Sequence, residues 1–370
     1  MTRKSSKKLY VGMDVHKESI DIALAEEGEQ VRHYGRIGGD MNALTRTLRK
    51  LESLGRSLVF VYEAGPCGYG IYRMLKARAH ACWVVAPSNT PRRVRDRIKT
   101  DRRDCLKLAG LARAGELEPI YVPDVRDEAM RDLVRAREDA VIMQRQVRHR
   151  LGALLLRNDI RYAGKTAWTD AHRRWISSVV LPGGAAQRIA FEEYVLAVQE
   201  STERVRRLTQ CIEQQLVHWR WRPLVAALQA CRGIQLIHAA RIVAELGDLS
   251  RFSHPRQVMG YLGMIPSEDS SAERRHQGAI TKAGNSSARR ALVEAAHAYQ
   301  YRAAVTPIIA RRQTGLPKAV IDIAWKAQLR LCARFHRLAA RGLNRNKTVV
   351  AVARELAGFV WAIAQQVKPL

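Results

Sequence analysis

The sequence has 370 residues, which is room for two or three domains, and 47% of them are hydrophobic, which is enough to bury real cores. Lys and Arg number 63 against 35 Asp and Glu, a formal net charge of +28. A compact monomer with this charge would repel itself, so a polyanionic partner is expected. Nucleic acid fits better than a membrane surface, because the basic residues are spread along the chain and not gathered on one amphipathic helix.

Cysteine usage and hydropathy argue against export and against a membrane anchor. The six cysteines are scattered, with no CxxC pair and no cluster of zinc-binding spacing, which is typical of buried thiols in a reducing compartment. The basic N-terminus runs directly into a strand-like pattern and not into a signal-peptide core. The apolar stretch 349–363 contains Arg354 and Glu355, so it reads as a packed helix. We therefore expect a cytoplasmic protein.

The first third of the chain has the pattern of a mixed α/β sheet. Short β-branched runs predict strands, and leucines at helical spacing after the N-cap residue Asp40 predict a helix ending at Gly55. The predicted elements are a hairpin over 9–24, a strand over 30–37, that helix, a buried strand over 57–63, a helix over 70–78 and a strand over 81–87. A basic segment then begins as a loop and becomes helical near Asp101.

Two long helices are predicted in mid-chain. Residues 127–157 contain no proline and carry an apolar stripe among many charges, and residues 186–218 are the partner that we expect for them. The stretch 163–184, which contains Gly and Trp, interrupts the pattern. Coiled helices of this kind serve dimerisation or form a hairpin within one chain, and both readings stay open.

The last part of the chain reads as globular and mostly helical. Residues 231–252 predict helix, turn, helix, similar to a helix-hairpin-helix. The predicted domains are residues 1–125 as an α/β domain, residues 126–222 as a helical coiled-coil region and residues 223–370 as a C-terminal domain.

Four acidic residues stand out by position. Asp14 ends the first strand, Glu63 ends the buried strand, and Asp101 and Asp104 share one face of a helix at i, i+3 spacing. Strand-end carboxylates joined by two more from a helix at the sheet edge would repel one another unless cations lay between them. Such an oxygen-rich site suits Mg²⁺ or Mn²⁺, and two such ions would support phosphoryl transfer. Any one of these acids alone would be an ordinary surface residue.

The blocks around these acids resemble a known family. GMDVHK (12–17), VYEAGP (61–66) and KTDRRDCLKLA (99–109) are similar to the three catalytic blocks of the DEDD transposases of the IS110 insertion-sequence family, which includes the Piv-like DNA invertases. Residues 233–297 resemble the C-terminal transposase domain of that family. The resemblance covers nearly the whole chain. It implies a ribonuclease-H-like, RuvC-like N-terminal fold and a mostly α-helical C-terminal transposase domain.

The resemblance also implies a site and a chemistry. Asp14, Glu63, Asp101 and Asp104 match the metal-binding acids. The family's nucleophilic serine lies in a block usually written SSG or ESG, which here is Ser270-Ser271-Ala272. Ser271 is the implied nucleophile and Ser270 the second candidate, while Ala272 in place of glycine departs from the pattern. A phosphoserine link would conserve the energy of the broken phosphodiester, so that the strand could be rejoined.

Partners follow from the same resemblance. They are donor and target double-stranded DNA, a structured non-coding bridge RNA and further copies of the chain, as a dimer or tetramer. The complex is expected to be associated with the nucleoid and not with a membrane. Phosphate contacts are expected from basic residues next to the acids and in the C-terminal domain. These are Arg92, Arg93, Arg95, Arg97, Arg102, Arg103, Lys282, Arg289 and Arg290.

Neighbouring residues are assigned structural roles. His16 follows the first acid closely and could assist proton transfer, although a structural role is expected. Packing is also expected for the tryptophans that flank the long helices, which are Trp168, Trp175, Trp219 and Trp221.

Three other readings were weighed. A RuvC-like junction-resolving nuclease would use water and would need the four acids but not Ser271. A non-catalytic nucleic-acid-binding protein, such as a decayed transposase, would need neither, and the intact acids argue against decay. A sugar-kinase or actin-like ATPase is discounted, because glycine-rich phosphate loops are missing at suitable later positions.

Overall fold

The computed structural model describes residues 8–88, 90–91, 100–271 and 274–370, with side chains except at 269–277. The chain divides into two compact units, residues 1–122 and residues 123–370. The further division of the second unit at residue 222 stays a prediction. Among the described residues, no helix combines the length and the apolar character needed to cross a bilayer.

The first unit is a five-stranded mixed sheet with three helices. The strand order is β3-β2-β1-β4-β5, in which β1, β2 and β3 are antiparallel and β4 and β5 continue from β1 in parallel. The elements are β1 (Lys8–Val15), β2 (Ser19–Glu26), β3 (Arg32–Gly38), α1 (Met41–Glu52), β4 (Ser57–Glu63), α2 (Gly70–Ala77), β5 (Ala81–Val85) and α3 (Asp101–Ala114). The predicted α/β sheet is confirmed, including the cap that Asp40 gives to α1.

The two faces of this sheet are covered differently. Large side chains of β1 and β4, such as Leu9 and Phe60, pack with the leucines of α1 and α2. The other face carries small residues, including Ala23 and Ala25, against which α3 packs through Cys105 and Ala109. Because side chains alternate along a strand, the even-numbered residues of β1 face α3.

The second unit is mainly helical. Its elements are α4 (Val125–Arg157), α5 (Asp170–Ser177), α6 (Gly184–Leu216), α7 (Arg222–Leu228), α8 (Leu236–Leu246), α9 (Pro255–Tyr261), β6 (Pro266–Ser271), β7 (Arg274–Ile280), α10 (Ser286–Ala296), α11 (Pro307–Gln313), α12 (Lys318–Ala340) and α13 (Arg345–Ala364). Short 3₁₀ turns cover 249–251 and 297–300. The helices α7, α8, α10, α12 and α13 enclose one core.

The long helices α4 and α6 form an antiparallel pair within the chain. Arg137 Nε donates to Thr209 Oγ1 at 2.7 Å, and Gln144 donates to Thr202 at 2.9 Å. Near the far end, Gln187 donates to Asn158 at 2.8 Å. The intramolecular hairpin is thus present, while self-association through it stays a prediction. The connecting stretch contains α5, which sequence reasoning had treated only as an interruption.

A single carboxylate ties the two ends of this helical hairpin. Asp127, in the first turn of α4, is almost fully buried and accepts hydrogen bonds from the indole nitrogens of Trp219 at 2.8 Å and Trp221 at 3.1 Å. Arg220 completes the cluster with an ion pair to the same carboxylate. The structural role expected for these two tryptophans agrees with this packing.

One expectation for the last part of the chain was wrong, and one element there was not foreseen. Residues 231–252 contain one α-helix, α8, preceded by a turn and followed by a 3₁₀ turn, so the predicted second helix is missing from that segment. The antiparallel hairpin β6–β7 was not predicted. Its sequence is mostly polar and lacks the alternation of apolar residues by which a half-buried strand is recognised.

Candidate metal centre

Asp14 and Glu63 lie side by side at one edge of the sheet. The parallel register of β1 and β4 runs through Met13 and Tyr62, so its next pair is Asp14 with Glu63. Each is half-buried at the carboxyl end of its strand. Paired residues of neighbouring strands project to the same face, so both acids are on the face that α3 covers.

Gly12 allows α3 to lie directly on that face. A Cβ atom at Gly12 would stand 2.4 Å from the carbonyl oxygen of Cys105 and 2.5 Å from the amide nitrogen of Ala109. Backbone therefore meets backbone at this point, and any side chain would push the helix away. Gly12 and Asp14 share a face, so the close approach brings the start of α3 towards Asp14.

Helix α3 begins with two of the predicted acids. Thr100 is the N-cap residue and its hydroxyl accepts from the amide of Arg103 at 3.4 Å. Asp101 and Asp104 follow in the first turn, where the helix dipole favours negative charge. Carboxylates are thus stabilised locally even though they face other acids.

The acids influence one another. Burial raises the pKa of Asp14, contact with His16 opposes the rise, and the negative charges of Asp104 and Asp101 add to it. His16 Nε2 lies 3.2 Å from Asp14 Oδ2 and 3.6 Å from Asp101 Oδ1. Ligand atoms of Asp14, His16 and Asp101 all fall within 4.8 Å of one another.

This donor set fits a hard divalent cation. Carboxylate oxygens are the ligands that Mg²⁺ and Mn²⁺ prefer. Burial is the main reason that the pKa of Asp14 is raised, and the negative charges of Asp104 and Asp101 add to the rise, so a cation beside Asp14 would favour its charged form. Imidazole suits other metals better, so the carboxylates are the residues that fit Mg²⁺.

A second group of residues, missed by sequence reasoning, lies behind the acids. Asp21 on β2 is paired with Asp14 in the strand register and is buried. It accepts from Arg36 Nε at 2.7 Å and contacts His33 Nε2 at 3.1 Å. Burial alone would raise the pKa of Asp21, but the hydrogen bonds and charges of Arg36 and His33 outweigh it and hold that pKa below its usual value. A lone Asp in the apolar run SIDIALAE was the available signal.

Comparisons with known proteins identify a family for this chain. The family model "Transposase IS116/IS110/IS902 family" matches residues 225–311, and a second model, a DEDD "Transposase" of the IS110 type, matches residues 11–158. "Putative transposase y4qE" of Sinorhizobium fredii is 42% identical over 97% of this chain and 89% of its own length. The transposase for insertion sequence element IS1533 of Leptospira borgpetersenii is 30% identical over 90% of this chain and 97% of its own.

The chain belongs to the IS110 family of transposases. It is therefore an enzyme of DNA transposition and recombination, which cleaves and rejoins DNA. The resemblance inferred from the sequence motifs is confirmed. The segment matched by the DEDD model includes Asp14, Glu63, Asp101 and Asp104, and the other matched segment includes the β6–β7 hairpin.

The two candidate serines of this transposase lie at the end of β6. In backbone register Ser270 pairs with Arg275 and Ser271 with Arg274. Their side chains, like residues 272 and 273, lie outside the described part of the chain. The same holds for four predicted phosphate contacts, Arg92, Arg93, Arg95 and Arg97.

The remaining predicted phosphate contacts of the transposase differ in their surroundings. Arg102, Arg103 and Lys282 are exposed. Arg289 Nη1 donates to the carbonyl oxygens of Leu262 at 2.7 Å and Ala283 at 3.4 Å, at the base of the β6–β7 hairpin.

Arg290 is exposed but paired. Its Nη1 contacts Glu138 on α4 at 2.5 Å. Arg289 and Arg290 therefore have partners inside the chain, and their contact with DNA stays a prediction.

Proposed function

We propose that this transposase cuts and rejoins DNA at a metal site formed by Asp14, Glu63, Asp101 and Asp104, using Ser271 as nucleophile. The observation that carries the metal site is the cluster of Asp14 and Asp101 ligand atoms within 4.8 Å, where α3 rests on β1. Mg²⁺ or Mn²⁺ held there would stabilise charge on the phosphate and on the leaving oxygen.

The protein's own groups would fix the geometry. Two acids stand on neighbouring strand ends and two on the first turn of a helix, and these three elements belong to one packed unit. Rigid placement of this kind keeps reacting atoms in line without reorganisation during the reaction.

The serine step balances without an external energy source. Oγ of Ser271 would attack the scissile phosphorus, the serine proton would be lost, and the displaced DNA oxygen would leave as a hydroxyl after protonation. A phosphodiester between serine and DNA replaces the broken one. Attack by a DNA hydroxyl then reverses the step and releases the serine. Ser270 is the second candidate for the same role.

The proposed fold of the first unit is RuvC-like. A five-stranded sheet with three antiparallel strands, two further parallel strands and acids at adjacent strand ends is consistent with a ribonuclease-H-like domain. In the proposed three-part division, residues 126–222 act as the coiled-coil region and residues 223–370 as the transposase domain with the serine. Because the acids and the serine belong to different compact units, both units must be intact for cleavage.

Guidance by a bridge RNA and assembly as a dimer or tetramer in a nucleoid-associated complex are further parts of the proposal. A net charge of +28 supports binding of more than one polyanion. The hairpin of α4 and α6 supports assembly, since it exposes Met143, Ile189 and Leu196.

The deciding experiment uses a supercoiled plasmid that carries the native element ends, with Mg²⁺ and co-expressed flanking RNA. Wild type, Ser271→Ala and Ser270→Ala are compared, and the reactions are stopped with detergent. We expect a covalent protein–DNA adduct in wild type and in Ser270→Ala, and none in Ser271→Ala. An adduct lost only in Ser270→Ala moves the nucleophile by one residue. Cleavage without an adduct in any variant favours a water-using nuclease.

A second experiment separates cleavage from binding. Asp14→Ala and Glu63→Ala should each abolish strand cleavage and leave DNA binding largely intact, because these acids are proposed to hold metal and not DNA. Omission of the RNA, or its digestion with ribonuclease before the assay, should abolish the choice of a specific DNA target. Recombination by either acid variant would refute the assigned metal site.

A further inference from the structure

One arginine links a buried carboxylate to a predicted metal ligand. Arg36, on β3, donates from Nε to Asp21 Oδ2 at 2.7 Å and from Nη2 to Asp101 Oδ2 at 2.5 Å. The side chain of Asp21 is 4% exposed and that of Asp101 is 42% exposed. The planar guanidinium of Arg36 is therefore held by the buried Asp21 through Nε and contacts the more exposed Asp101 through Nη2.

The two oxygens of Asp101 have different neighbours. Oδ2 receives the hydrogen bond from Arg36. Oδ1 faces His16 Nε2 at 3.6 Å, and the same nitrogen lies 3.2 Å from Asp14 Oδ2. Oδ1 is thus the oxygen turned towards the other acid of the cluster.

We infer that Arg36 is a positioning residue that reserves one oxygen of Asp101 for the cation and withholds the other. This inference rests on the proposed metal site. With Oδ2 engaged by Arg36, Asp101 would offer Oδ1 to the cation. Asp21 holds Arg36 in place, and His33 contacts the second oxygen of Asp21 at 3.1 Å.

Restriction to one oxygen bears on which cation the site accepts. Mg²⁺ requires a near-ideal octahedron of single oxygen donors, whereas Ca²⁺ takes six to eight oxygens and readily accepts a carboxylate through both. An Asp101 limited to one oxygen therefore favours Mg²⁺ over Ca²⁺. A released Asp101 offers both oxygens and favours Ca²⁺.

The test measures cation selectivity without any DNA reaction. Purified full-length protein is loaded with Mn²⁺, and Mg²⁺ and Ca²⁺ are each titrated as competitors while free Mn²⁺ is followed by electron paramagnetic resonance. Arg36→Lys keeps the positive charge but replaces the planar guanidinium, whose Nε and Nη2 reach the two carboxylates separately, by a single ammonium nitrogen. Arg36→Gln removes the charge as well, and Asp21→Asn removes the anchor of Arg36.

The matched control is Arg32→Gln. Arg32 is on the same strand, is exposed, and pairs with Glu26 at 3.8 Å. Melting of each metal-free variant, followed by circular dichroism, confirms that the protein titrated is folded.

We expect the ratio of Mg²⁺ to Ca²⁺ affinity to fall about tenfold in Arg36→Lys, Arg36→Gln and Asp21→Asn, and to stay at the wild-type value in Arg32→Gln. A wild-type ratio in Arg36→Lys would mean that only charge matters and would overturn the inference. Equal changes for both cations in Arg36→Gln would overturn it too, as the mark of a Coulombic or general structural effect. If wild type and Asp14→Ala bind Mn²⁺ alike, the metal site itself fails, and the inference with it.

Discussion

Gly12 matters because of what it lacks. The surface of β1 next to Asp14 touches the backbone of α3, and a methyl group at Gly12 would overlap Cys105 O at 2.4 Å. The proposed metal centre therefore depends on a residue with no functional group. Sequence reasoning selected the acids on either side of this contact, whereas the contact itself requires knowledge of how the sheet and the helix pack.

We predict that Gly12→Ala destabilises the protein by about 2 kcal/mol and weakens Mn²⁺ binding, because α3 must move away from β1. The control is Gly110→Ala in α3, where a Cβ would meet Val31 Cγ2 at an ordinary 3.6 Å. That change should be neutral or stabilising by up to about 1 kcal/mol through helix propensity. Urea unfolding and Mn²⁺ titration measure both effects. Wild-type behaviour of Gly12→Ala would contradict the close packing.

Asp14 is predicted to lower the stability of the metal-free protein at neutral pH. Its pKa is raised in the folded state, so the folded protein holds that proton more tightly than the unfolded chain does. At pH values above the raised pKa, Asp14→Asn should therefore have a higher melting temperature than wild type. The gain in melting temperature should vanish as the pH falls through that pKa to below the ordinary value of 3.8, where the Asp14 carboxyl is neutral in both the folded and the unfolded state. Added Mg²⁺ should reverse the order, since the protein with Asp14 is expected to bind the cation more tightly than the variant does and so to gain more stability from it. A pH-independent difference would contradict this account.

At the scale of elements, the base of the β6–β7 hairpin is held by backbone contacts. A Cβ at Gly284 would lie 1.9 Å from Tyr261 O, and one at Gly263 would lie 2.0 Å from Ala283 O. Arg289 adds hydrogen bonds to carbonyl oxygens on both sides of this crossing. The strand that carries the candidate serines is thus anchored at its start.

We predict that Gly284→Ala costs about 3 kcal/mol of unfolding free energy, the sum of strain at φ +82° and overlap with Tyr261. Gly315→Ala is the matched control. Its φ is +77°, but a Cβ there would meet nothing within 4 Å, so only the strain of about 1 kcal/mol applies. Denaturant unfolding compares the two variants. Equal losses would show that the crossing contributes nothing beyond backbone strain.

The elements also show where sequence patterns succeed. Asp14 and Glu63 could be identified because buried apolar strands have a clear end, and a carboxylate there is conspicuous. Asp101 and Asp104 could be paired because helical spacing is regular. Arg36 could not be found in this way, because it is 65 residues away from Asp101 in sequence. Its proposed role depends on β3 lying beside β2, which no local pattern shows. The β6–β7 hairpin was missed because its sequence is mostly polar and lacks the alternation of apolar residues that marks a half-buried strand.

At the scale of the whole molecule, charge governs binding. Distributed Lys and Arg give +28, and neutralising DNA phosphates releases condensed counterions. We predict that affinity for duplex DNA falls at least about a hundredfold between ~50 and ~200 mM salt. Asp14→Ala should keep the same salt dependence, because it lies in the cluster proposed to hold metal. Fluorescence anisotropy at a series of salt concentrations measures this, and a flat response would contradict the electrostatic account.

The Asp127 cluster has a further consequence. The carboxylate joins the start of α4 to Trp219 and Trp221 just beyond α6, so the chain leaves the helical core and returns to it at nearly the same point. The residues between these two points form a helical arm that is closed at its base by the Asp127 cluster. Such an arm can be lengthened or shortened by equal numbers of helical turns in α4 and α6 while the contacts at its base stay the same. The length of the α4–α6 arm can thus change while the core and the Asp127 cluster stay the same.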